Sequence, residues 1–318
     1  MPPIFVGLVI LSNMPIKTLA QGNLNWINID HLDSEMLSYL KTQYGFHPLD
    51  LEDLQSEQQI PKLDAYQNYL FIILQFPHWQ GETNMIVAQE LAIFLGDNYL
   101  ITIQQNKSKE LKNFFYRCLN NRKVKADWMS GSSGYLLYRL IEELFENTRP
   151  ILNNIGKQIS TVESAIFAGE QDTGIIKRLG GHRRNILLFR RILEPQRYLV
   201  STLSHTRKSF LDEHMSLYFD NVHDSLNNMW AIVETFKETV DGLHVTVESL
   251  INRRINKLIT VLTAFSVSLL PLNLLAGIYG MNIALPFQNQ PNVIWIMFVV
   301  LTSLIILLIY ALKRHKWL

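Results

Sequence analysis

Hydrophobic positions along this chain fall into three textures, and each predicts a different kind of element. Over residues 1–128 they form short compact runs rich in branched and aromatic side chains. These runs are Trp26–Ile29, Tyr69–Leu74, Leu91–Leu95 and Tyr99–Ile103, and they read as β-strands. Gly96-Asp97-Asn98 separates the last two and reads as a hairpin turn. A further run, Ile4–Leu11, is too short to cross a bilayer and lacks a basic leader and an A-x-A cleavage site, so it reads as a buried strand. Amphipathic helices are predicted over Ser34–Tyr44 and Ser108–Asn120.

The texture changes after Gly131-Ser132-Ser133-Gly134, which marks a boundary. From Tyr135 to Phe167 the apolar residues keep helical spacing through Leu136, Leu140, Leu144, Ile151, Ile155, Ile159, Val162 and Ile166, which predicts one helix ended by the stretch from Gly169 to Gly174. A second helix is predicted over Ile175–His205, kinked at Pro195. A third starts near Glu213 and meets no Pro or paired Gly before Pro271. Continued to Tyr279, its 67 residues would span about 100 Å at 1.5 Å per residue. No single globular domain needs such a rod, which suggests a stalk that enters a membrane directly.

The third texture is unbroken hydrophobicity. Leu258–Tyr279 holds 22 residues and Val293–Leu312 holds 20, neither with a charge. Both meet the length of about 20 residues needed to cross a bilayer. Arg253, Arg254 and Lys257 precede the first span, and Lys313, Arg314 and Lys316 follow the second. By the positive-inside rule both ends are cytoplasmic and the uncharged loop between the spans is outside. Trp295 and Trp317 suit the two interfaces. The domain reading is a cytoplasmic sheet-and-helix domain at 1–128, a cytoplasmic helical stalk region at 129–257 and a two-span pore domain at 258–318.

Composition narrows the function. A net charge of +1 in 318 residues gives no basic surplus for nucleic acid, and one cysteine, Cys118, supplies neither a disulfide framework nor a CxxC metal site. No P-loop, G-x-G-x-x-G, G-x-S-x-G or H-E-x-x-H occurs, so an enzyme is disfavoured. Two spans cannot enclose a hydrophilic path, and transport would need several copies around an axis. The first span carries a fitting stripe near 3.5-residue spacing: Asn256, Ile259, Leu262, Ser266, Leu270, Asn273, Gly277 and Gly280. Polar groups inside a membrane helix face a bundle interior or a watery cavity, and contact with neighbouring helices alone is the plainer alternative. The second span offers only Thr302 and Ser303 as polar residues and reads as lipid-facing. Pro271 frees the carbonyl of Val267 within the first span, as a static kink or a hinge.

The first span ends in Tyr279-Gly280-Met281-Asn282, and here the sequence resembles the CorA-type magnesium transporters, whose hallmark is Gly-Met-Asn at this place. Three further blocks carry the resemblance: Pro271 with Ala276–Asn282, His47–Leu54 followed by Pro61-Lys62 and Tyr69, and the terminal Lys316-Trp317-Leu318. The resemblance covers essentially the whole chain. It implies an α+β cytoplasmic domain, a mixed sheet with flanking helices, followed by long stalk helices and two C-terminal transmembrane helices, assembled as a funnel-shaped homopentamer in a cell (inner) membrane. It implies Mg²⁺ influx, with Co²⁺ and Ni²⁺ as further substrates and no cofactor. It implies a filter of Gly280, Met281 and Asn282, in which Asn282 contacts hydrated Mg²⁺. It further implies that Asn256, Ile259, Leu262, Leu270 and Asn273 face the conduction path; with Ser266 and Gly277 of the stripe and Tyr279 at the span's end, these are the candidate pore-lining residues.

The chemistry suits that ion. Mg²⁺ gives up its octahedral water shell reluctantly, and neutral amide and carbonyl oxygens can accept hydrogen bonds from its waters without binding too tightly for exit. Asn282 would also serve as a left-handed helix C-cap, a role compatible with a filter. The sequence departs from the family in two places. Ile283–Gln290 lacks the acidic residue common after the triplet, and Val245 stands where a stalk carboxylate would sense regulatory Mg²⁺. Asp241 and Glu248 are the nearby candidate regulatory ligands. His205, His214, His223 and His244 on or near the stalk leave a ZntB-like zinc transporter as an alternative. A non-conducting membrane-tethered sensor or scaffold is the other.

Overall fold

The computed structural model describes residues 16–56, 59–81, 83–104, 109–169, 173–211, 213–282 and 291–314. Ile4–Leu11, Ser108, the loop Ile283–Gln290 and the terminal Lys316–Leu318 lie outside the described residues. The chain divides into two compact units, Met1–Gly242 and Leu243–Leu318.

The first unit is built on a six-stranded mixed sheet. Its strands are β1 (Ile16–Gln21), β2 (Leu24–Ile29), β3 (Lys62–Ala65), β4 (Tyr69–Gln80), β5 (Met85–Gly96) and β6 (Tyr99–Ile103). The order is β1-β2-β6-β5-β4-β3, with β2 and β6 parallel and every other neighbour antiparallel. Two helices sit against one face: α1 (Ser34–Tyr44) and α2 (Pro48–Asp53). Their Met36, Leu40, Leu51 and Leu54, just past α2, join Ile27, Ile29, Phe71, Ile73, Phe94 and Ile101 of alternate strand positions in one core. The opposite face is closed by α3 (Lys109–Asn120), α5 (Ser133–Glu146) and α7 (Thr173–His205), while α4 (Arg122–Trp128) and α6 (Arg149–Phe167) link them. Trp26 meets Phe114 and Phe115 edge-on there, and Phe76 meets Phe145. Burial on both faces explains why Tyr69–Leu74 reads as one apolar run without alternation.

Several predicted elements are changed by tertiary context. The Ser34–Tyr44 helix, the β6 strand and the turn at Asp97-Asn98 stand where the pattern put them. Strands β4 and β5 are each 12 residues long and continue past their apolar runs through Gln75–Gln80 and Met85–Glu90, paired to the hairpin end. Strands β1 and β3 carry little hydrophobic signal because both lie at sheet edges. The single helix predicted from Tyr135 to Phe167 is two. Helix α5 ends at Glu146, and α6 restarts with Pro150 in its first turn, where a missing N–H costs nothing. The Gly131–Gly134 stretch, read as a boundary, lies inside the first unit. Ser132 caps α5, the Ser133 hydroxyl donates to the Gly96 carbonyl, and a Cβ at Gly134 would lie 2.4 Å from the Phe210 carbonyl oxygen.

Helix α7 runs unbroken through Pro195. Its Asn185 holds the far hairpin end: Oδ1 accepts from Ile86 N–H at 3.1 Å and Nδ2 donates to the Asn84 carbonyl at 3.1 Å. Asn84 itself has φ 56°. Residues 129–242 thus belong with the sheet. Helix α8 (Glu213–Tyr279) is one uninterrupted element of 67 residues, and α9 (Pro291–Arg314) follows with 24.

Candidate functional site: the polar face of α8 and the buried knot at Asp50

Among the described residues, α8 is the helix long and apolar enough to cross a membrane by length and composition. Helix α9, at about 1.5 Å per residue, reaches about 36 Å against a hydrocarbon core of about 30 Å. Within the second unit α8 has a half-buried side. Ser268 is buried, and Ala264, Pro271, Leu272, Leu275 and Tyr279 are partly covered. These recur at helical spacing and share one face. The Tyr279 hydroxyl on that face donates to Met297 Sδ of α9 at 3.7 Å.

The stripe lies on the opposite face. Asn256, Ser266, Asn273, Gly277 and Gly280 are exposed within the chain, as are Ile259, Leu262 and Leu270 at 56, 66 and 64%. Tyr279 is the one predicted lining residue on the other side of the helix, turned to α9.

What separates the two faces is hydrogen bonding. Off the stripe, hydroxyls fold back on their own helix: Thr260 donates to the Asn256 carbonyl at 2.9 Å, Ser268 to Ala264 at 2.7 Å, and Thr302 of α9 to Phe298 at 2.9 Å. Such groups are satisfied anywhere in a bilayer. On the stripe, the side chains of Asn256, Ser266 and Asn273 have no partner among the described residues. An unpaired amide moved from water into an apolar medium costs roughly 2–7 kcal/mol. These groups therefore need water or another protein chain.

At the helix end the Gly280 N–H donates to the Ala276 carbonyl at 2.9 Å, and the Met281 N–H to Ile278 at 3.3 Å, tightening the last turn. A Cβ at Gly280 would stand 3.0 Å from the Ala276 carbonyl oxygen, whereas one at Gly277 would meet nothing within 4 Å. Glycine at 280 therefore lets the chain leave the helix tightly. Met281 and Asn282 follow, both exposed. Asn282 is not a left-handed cap, since Asn84 is the positive-φ non-glycine among the described residues.

The His47–Leu54 block forms a different kind of polar site. Asp50 is 1% exposed, and its Oδ1 and Oδ2 accept from the Tyr66 and Tyr69 hydroxyls, both at 2.8 Å. Tyr69 Oη in turn accepts from His47 N–H at 2.9 Å, and the Lys208 ammonium donates to the Tyr66 carbonyl. Lys62 Nζ bridges Asp53 at 2.5 Å and Asp64 at 2.6 Å. Burial raises the Asp50 carboxyl above its ordinary value although both tyrosines oppose the shift, and burial followed by Asp50 pushes Tyr66 up to about 12. This block ties α2 to β3, β4 and the chain near Lys208. Both carboxylate oxygens of Asp50 are thus satisfied inside the chain.

Of the candidate regulatory carboxylates, Asp241 is engaged, with Oδ1 at 3.0 Å from Arg183 Nε. Glu248 is exposed, as is Val245 at 66%. Among the described residues no three His, Cys, Asp or Glu side chains converge as a metal-ligating group. His205 Nδ1 sits at 2.8 Å from the Ser201 carbonyl, and His223 Nδ1 lies 3.4 Å from Asn227 Nδ2. The polar ladder between α7 and α8, Arg183–Asp241, Arg190–Glu234 and Arg197–Asn227, had no readable signal beyond its seven-residue spacing on both helices.

The family model described as CorA-like Mg2+ transporter protein matches residues 21–314. The cobalt/magnesium transport protein CorA of Thermotoga maritima is 27% identical over 304 residues, 92% of this chain and 83% of that one. The complete structure of the CorA magnesium transporter from Methanocaldococcus jannaschii superposes with a TM-score of 0.80 at 22% identity, covering 94% of this chain and 93% of that one. The cytoplasmic domain of ZntB from Vibrio parahaemolyticus shares the fold, with a TM-score of 0.60 at 13% identity over 76% of this chain and 96% of that one. The chain belongs to the CorA-like Mg²⁺ transporter family, a family of membrane proteins.

Proposed function

We propose that this chain is one subunit of a funnel-shaped homopentamer in a cell (inner) membrane that lets Mg²⁺, and with it Co²⁺ and Ni²⁺, enter down the electrochemical gradient. The observation that carries the reading is the α8 stripe: amides and a hydroxyl without partners on one face, ending at Gly-Met-Asn. Copies arranged with that face toward a common axis would line a wet path, and the unpaired groups would be solvated there. Asn282 repeats into a ring at the outer mouth and accepts hydrogen bonds from the waters of hydrated Mg²⁺. Leu262 and Ile259 narrow the path and close it by dewetting. An inside-negative potential contributes about 2.3 kcal/mol per charge per 100 mV, hence about 4.6 for a divalent ion, so no coupled ion is required. Both termini are cytoplasmic by the basic flanks of the two spans. For regulation, Mg²⁺ at Asp241 would compete with the Arg183 guanidinium, whereas Glu248 is open.

Flux into liposomes tests the reading. Wild-type protein is expected to pass Mg²⁺ without a pH gradient, and Asn282→Ala to abolish that flux. Zinc-only, proton-dependent flux would replace this reading with a zinc transporter. Absence of any divalent flux in correctly assembled protein would leave a sensor or scaffold.

A further inference from the structure

The surface of α7 facing away from the sheet carries charge that its own subunit does not use. Thr173–His205 holds seven Lys and Arg against one carboxylate, Glu194, while Glu213–Gly242 of α8 holds six carboxylates against Lys237. Within the chain, two α7 arginines take α8 carboxylates: Arg183–Asp241 at 3.0 Å and Arg190–Glu234 at 2.8 Å. Arg184 and Arg191 have no carboxylate partner among the described residues, and neither has Glu238 on α8. All three are exposed. The two arginines border an open groove of about 400 Å³ whose lining also includes Gly180, Leu187 and Leu188.

The ladder fixes the levels of the two helices. Arg183, Arg190 and Arg197 meet Asp241, Glu234 and Asn227, so seven residues up α7 correspond to seven down α8. Arg184 is therefore level with residue 240 of α8. Rotation about an axis running along α8 leaves every copy at the same height. The level of Arg184 on one copy is then within about 3 Å, two residues of helical rise, of Glu238 on the next. Ile232, 40% exposed, lies one turn from the level of Leu188 and supplies an apolar counterpart to the groove floor.

We infer that this groove is a subunit contact, in which α7 of one copy docks on α8 of its neighbour with Arg184 paired to Glu238. The inference rests on the oligomeric reading above and deepens it by naming the pair. Its physical basis is that opposite charges at matched height set register between identical subunits, and that partial burial against Leu187, Leu188 and Ile232 limits screening by salt.

The test uses the full-length protein in detergent. Arg184→Glu and Glu238→Arg are each expected to raise subunit dissociation about tenfold, read by light scattering, and the double charge swap to return it to within about threefold of wild type. Separately, Arg184→Cys with Glu238→Cys is expected to give a ladder of covalent oligomers with a short bismaleimide, and neither single variant should. Cys118, the only cysteine in the sequence, is buried and its thiol is pushed up to about 12 by that burial, so it stays silent. A wild type of monomer mass would overturn both the oligomeric reading and this pair. An oligomer in which the swap does not restore assembly and no ladder forms would overturn the pair alone. So would loss of inorganic phosphate binding in Arg184→Glu with assembly unchanged, because the groove would then be an anion site.

Discussion

The Asp50 knot and the α8 stripe hold their polar groups in opposite ways. Around Asp50 both carboxylate oxygens are taken by tyrosine hydroxyls, and one of those hydroxyls accepts a backbone N–H in turn. Along the stripe Asn256, Ser266 and Asn273 face outward with nothing to bond among the described residues. A closed network fixes a fold, whereas an open row of amides is complete only with water, ions or other copies. Polar side chains thus form a closed network in one place and an open row in the other, and the difference is whether the partners lie inside the chain.

The largest expected effect is on the open side. Asn282→Ala should remove Mg²⁺ flux in liposomes by about a hundredfold or more while leaving assembly by light scattering unchanged. Asn273→Leu, which replaces an unpartnered amide by an apolar group of similar size, should lower flux by about tenfold without destabilising the protein. If Asn273→Leu instead unfolded the protein, the amide would be structural and the contrast with Asp50 would collapse.

On the closed side the effect is on stability. Asp50→Ala leaves two buried tyrosine hydroxyls without an acceptor and should cost about 2–4 kcal/mol, seen as a lower unfolding temperature in detergent. Asp50→Asn keeps one acceptor and should cost less. The pH dependence distinguishes charge from shape. Burial raises the Asp50 carboxyl above its ordinary 3.8, so the folded protein holds that proton more tightly than the unfolded chain. Stability from this group is full below the unfolded value and falls as pH rises through the folded value. Wild type should therefore gain on Asp50→Asn as pH is lowered toward 3.8. A difference that stays constant with pH would remove the charge from the account.

The smallest effect compares two serines two residues apart, on opposite faces of α8. Ser268→Ala loses a bond to its own helix and should change stability by about 0.5 kcal/mol or less without touching flux. Ser266→Ala should leave stability unchanged and alter flux by a few-fold at most. Equal behaviour of the two would mean that the faces of α8 are not functionally distinct.

Legibility followed the range of the interactions. Helix α1 was readable because its Asp33 cap, apolar spacing and Gly45 stop are local. Helix α8 was readable over its full 67 residues because nothing in it breaks helix before Pro271. The halves of β4 and β5 beyond their apolar runs were not, since Gln75–Gln80 and Met85–Glu90 are strand only because each pairs with the other. The break between α5 and α6 was hidden because the apolar spacing carries across it, although Pro150 was a local sign.

The sequence by itself determined the two membrane-length runs, the stripe on the first of them and the Gly-Met-Asn that closes it, because hydropathy and helical spacing are one-dimensional properties. Only the tertiary structure decided that Tyr279 turns away from the stripe toward Met297, that Asp241 is held by Arg183, and that Asp50 lies at the centre of a closed network. Each of these depends on a partner 16 or more residues away, and no local pattern specifies which side chain will arrive there.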